Sequence, residues 1–403
     1  MNKEQPRLIF LDCFRAVAVL AVFACHTLAM IYGYGFIPWN GNVRAFGSVS
    51  WDKVLMFPMS FGQCGVAIFF VISGFCIHMA FHQHGCKWGE FYTRRFWRLM
   101  PAYVSALILG IVLISPINVG ALFVSHDFQL HFFSHLFLAH NFWDSTFKSI
   151  NPAFWSLAVE AQLYLLYPLL LWMVVRVGWS KVLIALLCLE VGIQIAGANV
   201  DCTFTRLLVR SPFGYWFSWS IGSAIAESYR SNCHIWASKL PFSLAMVLAC
   251  GCYFYKPVSC LWFTLWASAS AIAMSKMLDK RWSINEIPKH ITGALKAIGR
   301  WSYSIYLIHC ILLGIFANCV AKLLNESHVF TQQPSPLIAL AVCFSTWCLI
   351  IPFSALWYLA VEKPGIELGK IAVLNQMVWL KKMLLASILF CVIVGIIEIK
   401  ILT

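Results

Sequence analysis

Apolar residues fall in long blocks, and polar or basic residues collect between them. About 20 apolar residues cross a bilayer as a helix. The blocks predict spans at about 8–31, 62–82, 99–115, 152–175, 181–199, 212–227, 240–255, 258–277, 297–321, 336–360 and 378–399. The third, sixth and seventh are short. The pattern predicts an all-α transmembrane helix bundle of about 10–11 spans. The first block carries Asp12 and Arg15 and lacks a small-residue cleavage site. It therefore reads as a helix that stays, not a signal peptide.

Composition agrees with this reading. The 403 residues are 61% hydrophobic and 11% charged, whereas soluble chains carry about 25% charged residues. The net charge of +13 is explained by where the basic residues fall. With the N-terminus in the cytoplasm, about 20 of the 29 lie in inside segments and about 8 outside. Nucleic acid is not implied, and the C-terminus falls outside. Residues 1–375 read as one membrane domain, with 376–403 an additional C-terminal transmembrane helix. The longest outside loop spans about 116–151, a second about 32–61 holds Trp39, Trp51 and Asp52, and no internal repeat is visible. The 16 cysteines sit mostly inside spans as small apolar fillers; a Cys202–Cys64 disulfide is the alternative at the outer face.

Ionisable groups inside apolar blocks are costly and usually face a polar cavity. Arg15 and His26 share the first block. Eleven residues make about three helical turns, so both lie on one face, roughly 16 Å apart. Asp12, one turn before Arg15, can neutralise it; a structural ion pair is the simpler reading there, and a hydrogen-bonded core histidine is the simpler reading of His26. Asn151 and Pro152 suit a helix start, which sets Glu160 about 12 Å deep, near the depth of His26. A His26–Glu160 pair would hold one imidazole tautomer, as a general base requires; an interhelical hydrogen bond without chemistry is the alternative. Ser156 and Tyr164 flank Glu160 at four-residue spacing.

Three arginines, Arg94, Arg95 and Arg98, open the third span in FYTRRFWRLMPAY. Guanidinium groups suit phosphate and pyrophosphate, yet such a cluster also serves as an ordinary cytoplasmic anchor. Ser73 lies among glycines in the second span. His309 is a second intramembrane histidine, read as bonding a neighbour. His131 and His135, flanked by His126 and His140, make a metal site conceivable, but no carboxylate–histidine motif supports one, and no metal is expected.

Five segments, in order, resemble acyltransferase family 3, integral membrane proteins that acylate glycans and other extracytoplasmic molecules. They are LDCFRAVAVLAVFACH, GVAIFFVISGFCI, FYTRRFWRLMPAY, FWSLAVEAQLYLLYPLL, and the C-terminal pair IGRWSYSIYLIH and VEKP. The resemblance covers about residues 8–366. It departs from the family at Cys13, where glycine is frequent, at Ala161, where a second glutamate is frequent, and in the extra last span.

The resemblance implies a catalytic His26 with Arg15 as its partner and Glu160 as the carboxylate. It puts Arg94, Arg95 and Arg98 at the phosphates of acyl-CoA; Asp12, Ser73, Ser156, Tyr164 and His309, read from their positions, are candidate supporting residues. The implied function is O-acylation, acetyl first. The donor is acyl-CoA (acetyl-CoA) as co-substrate, and no cofactor is permanently bound. The acceptor is a glycan or lipid-linked sugar, such as a lipopolysaccharide or exopolysaccharide unit, at a bacterial cytoplasmic membrane among membrane lipids. A transporter or flippase for an acylated or glycosylated lipid explains buried charge equally well. A non-catalytic sensor or scaffold is the third reading.

Overall fold

The computed structural model describes residues 9–32, 59, 61–83, 85–114, 126–283, 287–323 and 336–371. Every regular element among them is helical. In chain order they are α1 (Ile9–Tyr32), α2 (Cys64–Gln83), α3 (Trp88–Ile114), α4 (His126–Leu136), α5 (Phe154–Val177), α6 (Trp179–Asn199) and α7 (Thr203–Arg210). There follow α8 (Trp216–Arg230), α9 (Phe242–Phe254), α10 (Trp262–Leu278), α11 (Lys289–Leu323), α12 (Pro336–Trp357) and α13 (Lys363–Lys370). A π-helical turn, Tyr358–Glu362, joins the last two.

Eight described segments are long and apolar enough to cross a membrane. The spans expected at 212–227 and 240–255 coincide with shorter helices: a 3-10 turn, Pro212–Tyr215, leads into α8, 15 residues, and α9 has 13 residues. In α8 every residue from Trp216 to Ala226 is buried. The third expected span begins earlier, at Trp88, so the three arginines lie on the helix itself. The expected span at 378–399, the C-terminal unit 376–403 and nearly all of the 32–61 loop lie outside the described residues. Cys64 is buried, Cys202 is exposed, and both are free thiols.

The core forms around α1 and α2. Helix α1 packs along α11 and α2, while α2 also packs on α8 and α10. The α2–α8 crossing is close because of two glycines. A Cβ at Gly74 would collide with the carbonyl oxygen of Trp219, and one at Gly222 with that of Val71. Small residues at such crossings let backbones touch. This approach brings the Trp219 indole N–H to 3.1 Å from Oγ of Ser73.

Buried polar groups fix the remaining helices. Glu190 of α6 is fully buried and accepts from the Ser218 amide at 2.9 Å, the Ser218 hydroxyl at 2.5 Å and the Thr264 hydroxyl at 2.7 Å. It thereby pins α6 to α8 and α10, since a buried carboxylate is tolerated only when so satisfied. Gln162 and Asn141 exchange side-chain amide bonds of 2.8 and 3.1 Å; Gln162 also donates to the Leu138 carbonyl and Asn141 to that of Arg210. The loop before α5 is thus latched to it. Glu362 in the π-helical turn is buried and accepts from Ser304 of α11 at 2.5 Å.

Candidate active site

A cavity of about 300 Å³ opens between α1, α2, α3, α5 and α11. Its polar lining includes Arg15, Ser73, Arg95, Arg98, Ser156, Glu160, Tyr164, Ser302, Tyr303 and Tyr306. Three guanidinium groups face Glu160 there, and Arg15 is already paired with Asp12, so the anion-favouring part of the cavity is the Arg95–Arg98 end. Arg15 reaches Asp12 at 3.2 Å and Sγ of Cys76 at 3.1 Å. Arg94 is drawn away to Glu90, at 2.5 Å, and does not line this cavity. Among the described residues, Arg95 and Arg98 have no carboxylate in direct contact, and the buried Nε of Arg95 has no hydrogen-bond partner. These two cations are therefore available to a ligand.

Glu160 belongs to this cavity. Its Oε1 accepts from the Ser73 hydroxyl and from the Tyr164 hydroxyl, each at 2.5 Å. Ser73 in turn accepts from Trp219. A chain of donors thus orients the carboxylate from α2, α5 and α8.

The inner wall of the cavity is Ser156 with Tyr306. Their hydroxyls are 2.7 Å apart, and Tyr306 donates to the Ala153 carbonyl at 2.9 Å. One helical turn further along α11 is His309, fully buried. Its Nε2 lies 2.7 Å from Nδ1 of half-buried His26, with the rings stacked at 5.0 Å and 19°. The thiol of Cys310 stands 3.3 Å from His309 and 3.5 Å from His26.

The hydrogen bonds assign the protons. His309 Nδ1 faces only acceptors, the carbonyls of Ile305 and Tyr306 at 3.0 and 2.8 Å, so it carries the hydrogen. The neutral ring then has a bare Nε2. His26 Nδ1 must donate to it, which leaves His26 Nε2 with a free lone pair. That is the state a general base needs.

Comparison with known proteins decides the class. A family model described as an acyltransferase domain matches residues 8–355, most of the chain. The chain belongs to acyltransferase family 3. A Haemophilus influenzae protein described as uncharacterized is 31% identical over 38% of this chain and 66% of its own length. Acyltransferase MdmB of Streptomyces mycarofaciens is 23% identical over 91% of this chain and 94% of its own. The putative peptidoglycan O-acetyltransferase YrhL of Bacillus subtilis is 29% identical over 34% of this chain and 24% of its own length. No solved structure matches. The protein is thus a membrane acyltransferase by family.

For an acyltransferase 3 protein read from sequence, the placement of the expected residues is instructive. Arg15, Ser73, Arg95, Arg98, Ser156, Glu160 and Tyr164 do line one cavity. His26 is not paired with Glu160; its partner is His309. The physical reason is depth: Ser156, one turn before Glu160, already meets Tyr306, itself one turn from His309, so Glu160 lies level with Ser73 and Arg15 and not with His26. Helix α5 starts at Phe154, not at Pro152, and Asn151 instead caps the Ala153 amide at 2.9 Å while donating to the Leu307 carbonyl. Ser73 and Tyr164 then hold it on the arginine side.

Sequence reasoning did not single out Tyr306, Cys76 or Cys310. Tyr306 had a signal, since it lies three residues before His309 and so on its face. The loop histidines do not converge on one point: His135 and His140 stack at 4.0 Å, while His131 bonds Ser149. The side chain of His126 lies outside those described.

Proposed function

We propose that the protein moves an acyl group, acetyl first, from acyl-CoA on the cytoplasmic side to a hydroxyl of an extracytoplasmic or lipid-linked glycan. The observation that carries this reading is the His26–His309 pair, whose His309 lies one helical turn along α11 from Tyr306 in the wall of an arginine-lined cavity. The names of the Streptomyces and Bacillus relatives support acyl transfer, and the Bacillus name supports acetyl and a glycan.

In this reading the end of the bundle bearing Arg95 and Arg98 faces the cytoplasm, with the N-terminus, in a bacterial cytoplasmic membrane. Arg95 and Arg98 hold the donor phosphates, since guanidinium groups bind them as paired donors. The pantetheine arm lies in the cavity beside Arg15 and Glu160, and its thioester reaches the Ser156–Tyr306 wall. The acceptor hydroxyl approaches His26 from the other side. His26 Nε2 takes its proton as the oxygen attacks the thioester carbonyl, a role worth roughly 10²–10⁴-fold in general acid–base catalysis. The new C–O bond forms, the C–S bond breaks, and the proton on His26 passes to the departing CoA thiolate. His309, accepting from His26 Nδ1, keeps the ring in the working tautomer and stabilises the imidazolium.

The test uses purified protein with labelled acetyl-CoA and a crude lipid-linked glycan extract. Label incorporated into glycan, dependent on protein, supports the reading. Incorporation into no acceptor, with no acetyl-CoA binding, contradicts it.

A further inference from the structure

A second group of side chains converges at the arginine-rich end of α2, apart from the cavity. His78 and His82 stand one turn apart on α2, and Glu227 projects from the last turn of α8. One ring nitrogen from each histidine and a carboxylate oxygen all lie within 4.8 Å of one another. The two rings are 4.5 Å apart, and His78 Nε2 is 2.8 Å from Oε2 of Glu227. The chain then turns back through Gly85 and Cys86, both with left-handed φ, +74° and +59°. That conformation is uncommon for a residue with a Cβ. It brings the Cys86 thiol to 3.3 Å from Nδ1 of His82.

We propose that His78, His82 and Glu227, with Cys86 as fourth ligand, bind zinc or a chemically similar divalent transition ion. Two imidazoles, a thiol and a carboxylate are the donor types such ions take, at about 2.0–2.3 Å in tetrahedral sites. Calcium and magnesium take mostly oxygen ligands, of which this set supplies only the Glu227 carboxylate. Bonds of that length place ligand atoms roughly 3.3–3.8 Å apart; the two imidazoles and Glu227, within 4.8 Å of one another, close to it by small shifts, and the exposed Cys86 thiol, already against His82, must swing further to join them.

The surroundings suit a metal ligand set. His78 is 1% exposed, and its other nitrogen, Nδ1, meets the Tyr167 hydroxyl at 3.0 Å. With Nε2 on the ion, Nδ1–H donates to Tyr167, the kind of outer bond that fixes a ligating histidine. Arg230 and Ser231 hold Glu227 from its far side, at 2.7 and 3.0 Å from Oε1. Arg230 Nε also touches Oε2, at 3.0 Å, and it neutralises the carboxylate when no ion is there. Binding moves the His78 proton from Nε2 to Nδ1, displaces that Arg230 contact and releases the Cys86 thiol proton, as metal binding to protonated ligands requires. The ion would tie α2, which carries Ser73 and Cys76, to α8.

The experiment measures metal in the full-length protein with its purification tag removed. The protein is stripped with a chelator, loaded with zinc, desalted and analysed by plasma mass spectrometry. Stoichiometric zinc is expected in the wild type, with loss to background in His82→Ala. His82 is half-exposed and Cys86 exposed, so these substitutions leave the buried His78–Tyr167 contact intact; unchanged gel-filtration behaviour checks this. Cobalt loading should give a thiolate charge-transfer band that Cys86→Ser abolishes. Cys310→Ser, in the His26–His309 group, should keep its zinc. No retained zinc in the wild type, full retention in His82→Ala, a cobalt–thiolate band surviving in Cys86→Ser, or loss in Cys310→Ser each overturns the assignment.

Discussion

His26 Nδ1 lies 2.7 Å from His309 Nε2, although 283 residues separate them in sequence. Because His309 spends its own Nδ1 hydrogen on the carbonyls of Ile305 and Tyr306, the bond has one direction. His26 donates, and its Nε2 is left bare. The pair thus replaces the carboxylate–histidine arrangement that residue types alone suggested.

His309 is therefore a positioning residue in the proposed reaction. His309→Ala should lower turnover roughly 10–100-fold, part of the usual contribution of a general base, with donor affinity unchanged. His309→Gln keeps an acceptor for His26 Nδ1 and should recover much of the loss. Equal activity of the two variants in steady-state transfer assays would argue for a packing role only.

Arg95 and Arg98 face the cavity without carboxylate contacts, whereas Arg94 is held by Glu90. Arg95→Ala and Arg98→Ala should each raise KM for acyl-CoA about tenfold, in line with the roughly 1.5–3 kcal/mol of a charged hydrogen bond. Arg94→Ala should change it little. Donor-binding titrations at two salt concentrations check this, and a dominant effect from Arg94 would refute the division.

Glu160 is bonded to Ser73 and Tyr164, on the Arg15 side of the cavity. Glu160→Gln, which neutralises the carboxylate facing the arginines, should leave donor binding equal or tighter and the pH dependence of turnover where it is in the wild type. A shifted pH profile would mean that Glu160 tunes His26 after all.

His135, in the last turn of α4, and His140, just after that helix, lie outside the spanning segments. Burial lowers His135 from 6.5 to about 4. Burial, with His135 alongside, lowers His140 from 6.5 to about 3. The unfolded chain binds more protons between these values and 6.5, so stability rises with pH across that window. It is fully present above about 6.5 and is lost as pH falls toward 4. The thermal unfolding midpoint should drop between pH 7.5 and pH 5, and drop less in His140→Phe. A midpoint independent of pH over that interval would exclude this linkage.

Much of the site was legible in sequence. A buried arginine and histidine eleven residues apart must share a helix face, and one long α1 places them so. The presence of His309 in an apolar run was equally readable. What sequence withheld was level and partnership. Glu160 was expected level with His26 but lies level with Arg15, held by Ser73, which is brought in through the close α2–α8 crossing at Gly74 and Gly222. Arg94, Arg95 and Arg98 look alike in the chain; only the turn of α3 gives the first to Glu90 and the others to the cavity.

The most direct test compares wild type and His26→Ala in nanodiscs, following CoA release from labelled acetyl-CoA with and without lipid-linked glycan extract. The account predicts glycan-stimulated release in the wild type. In a folded His26→Ala protein that still binds acetyl-CoA, it predicts release at least roughly 10²-fold slower, the lower end of what a general base contributes. Wild-type rates in that variant would contradict the assignment of His26 as the base.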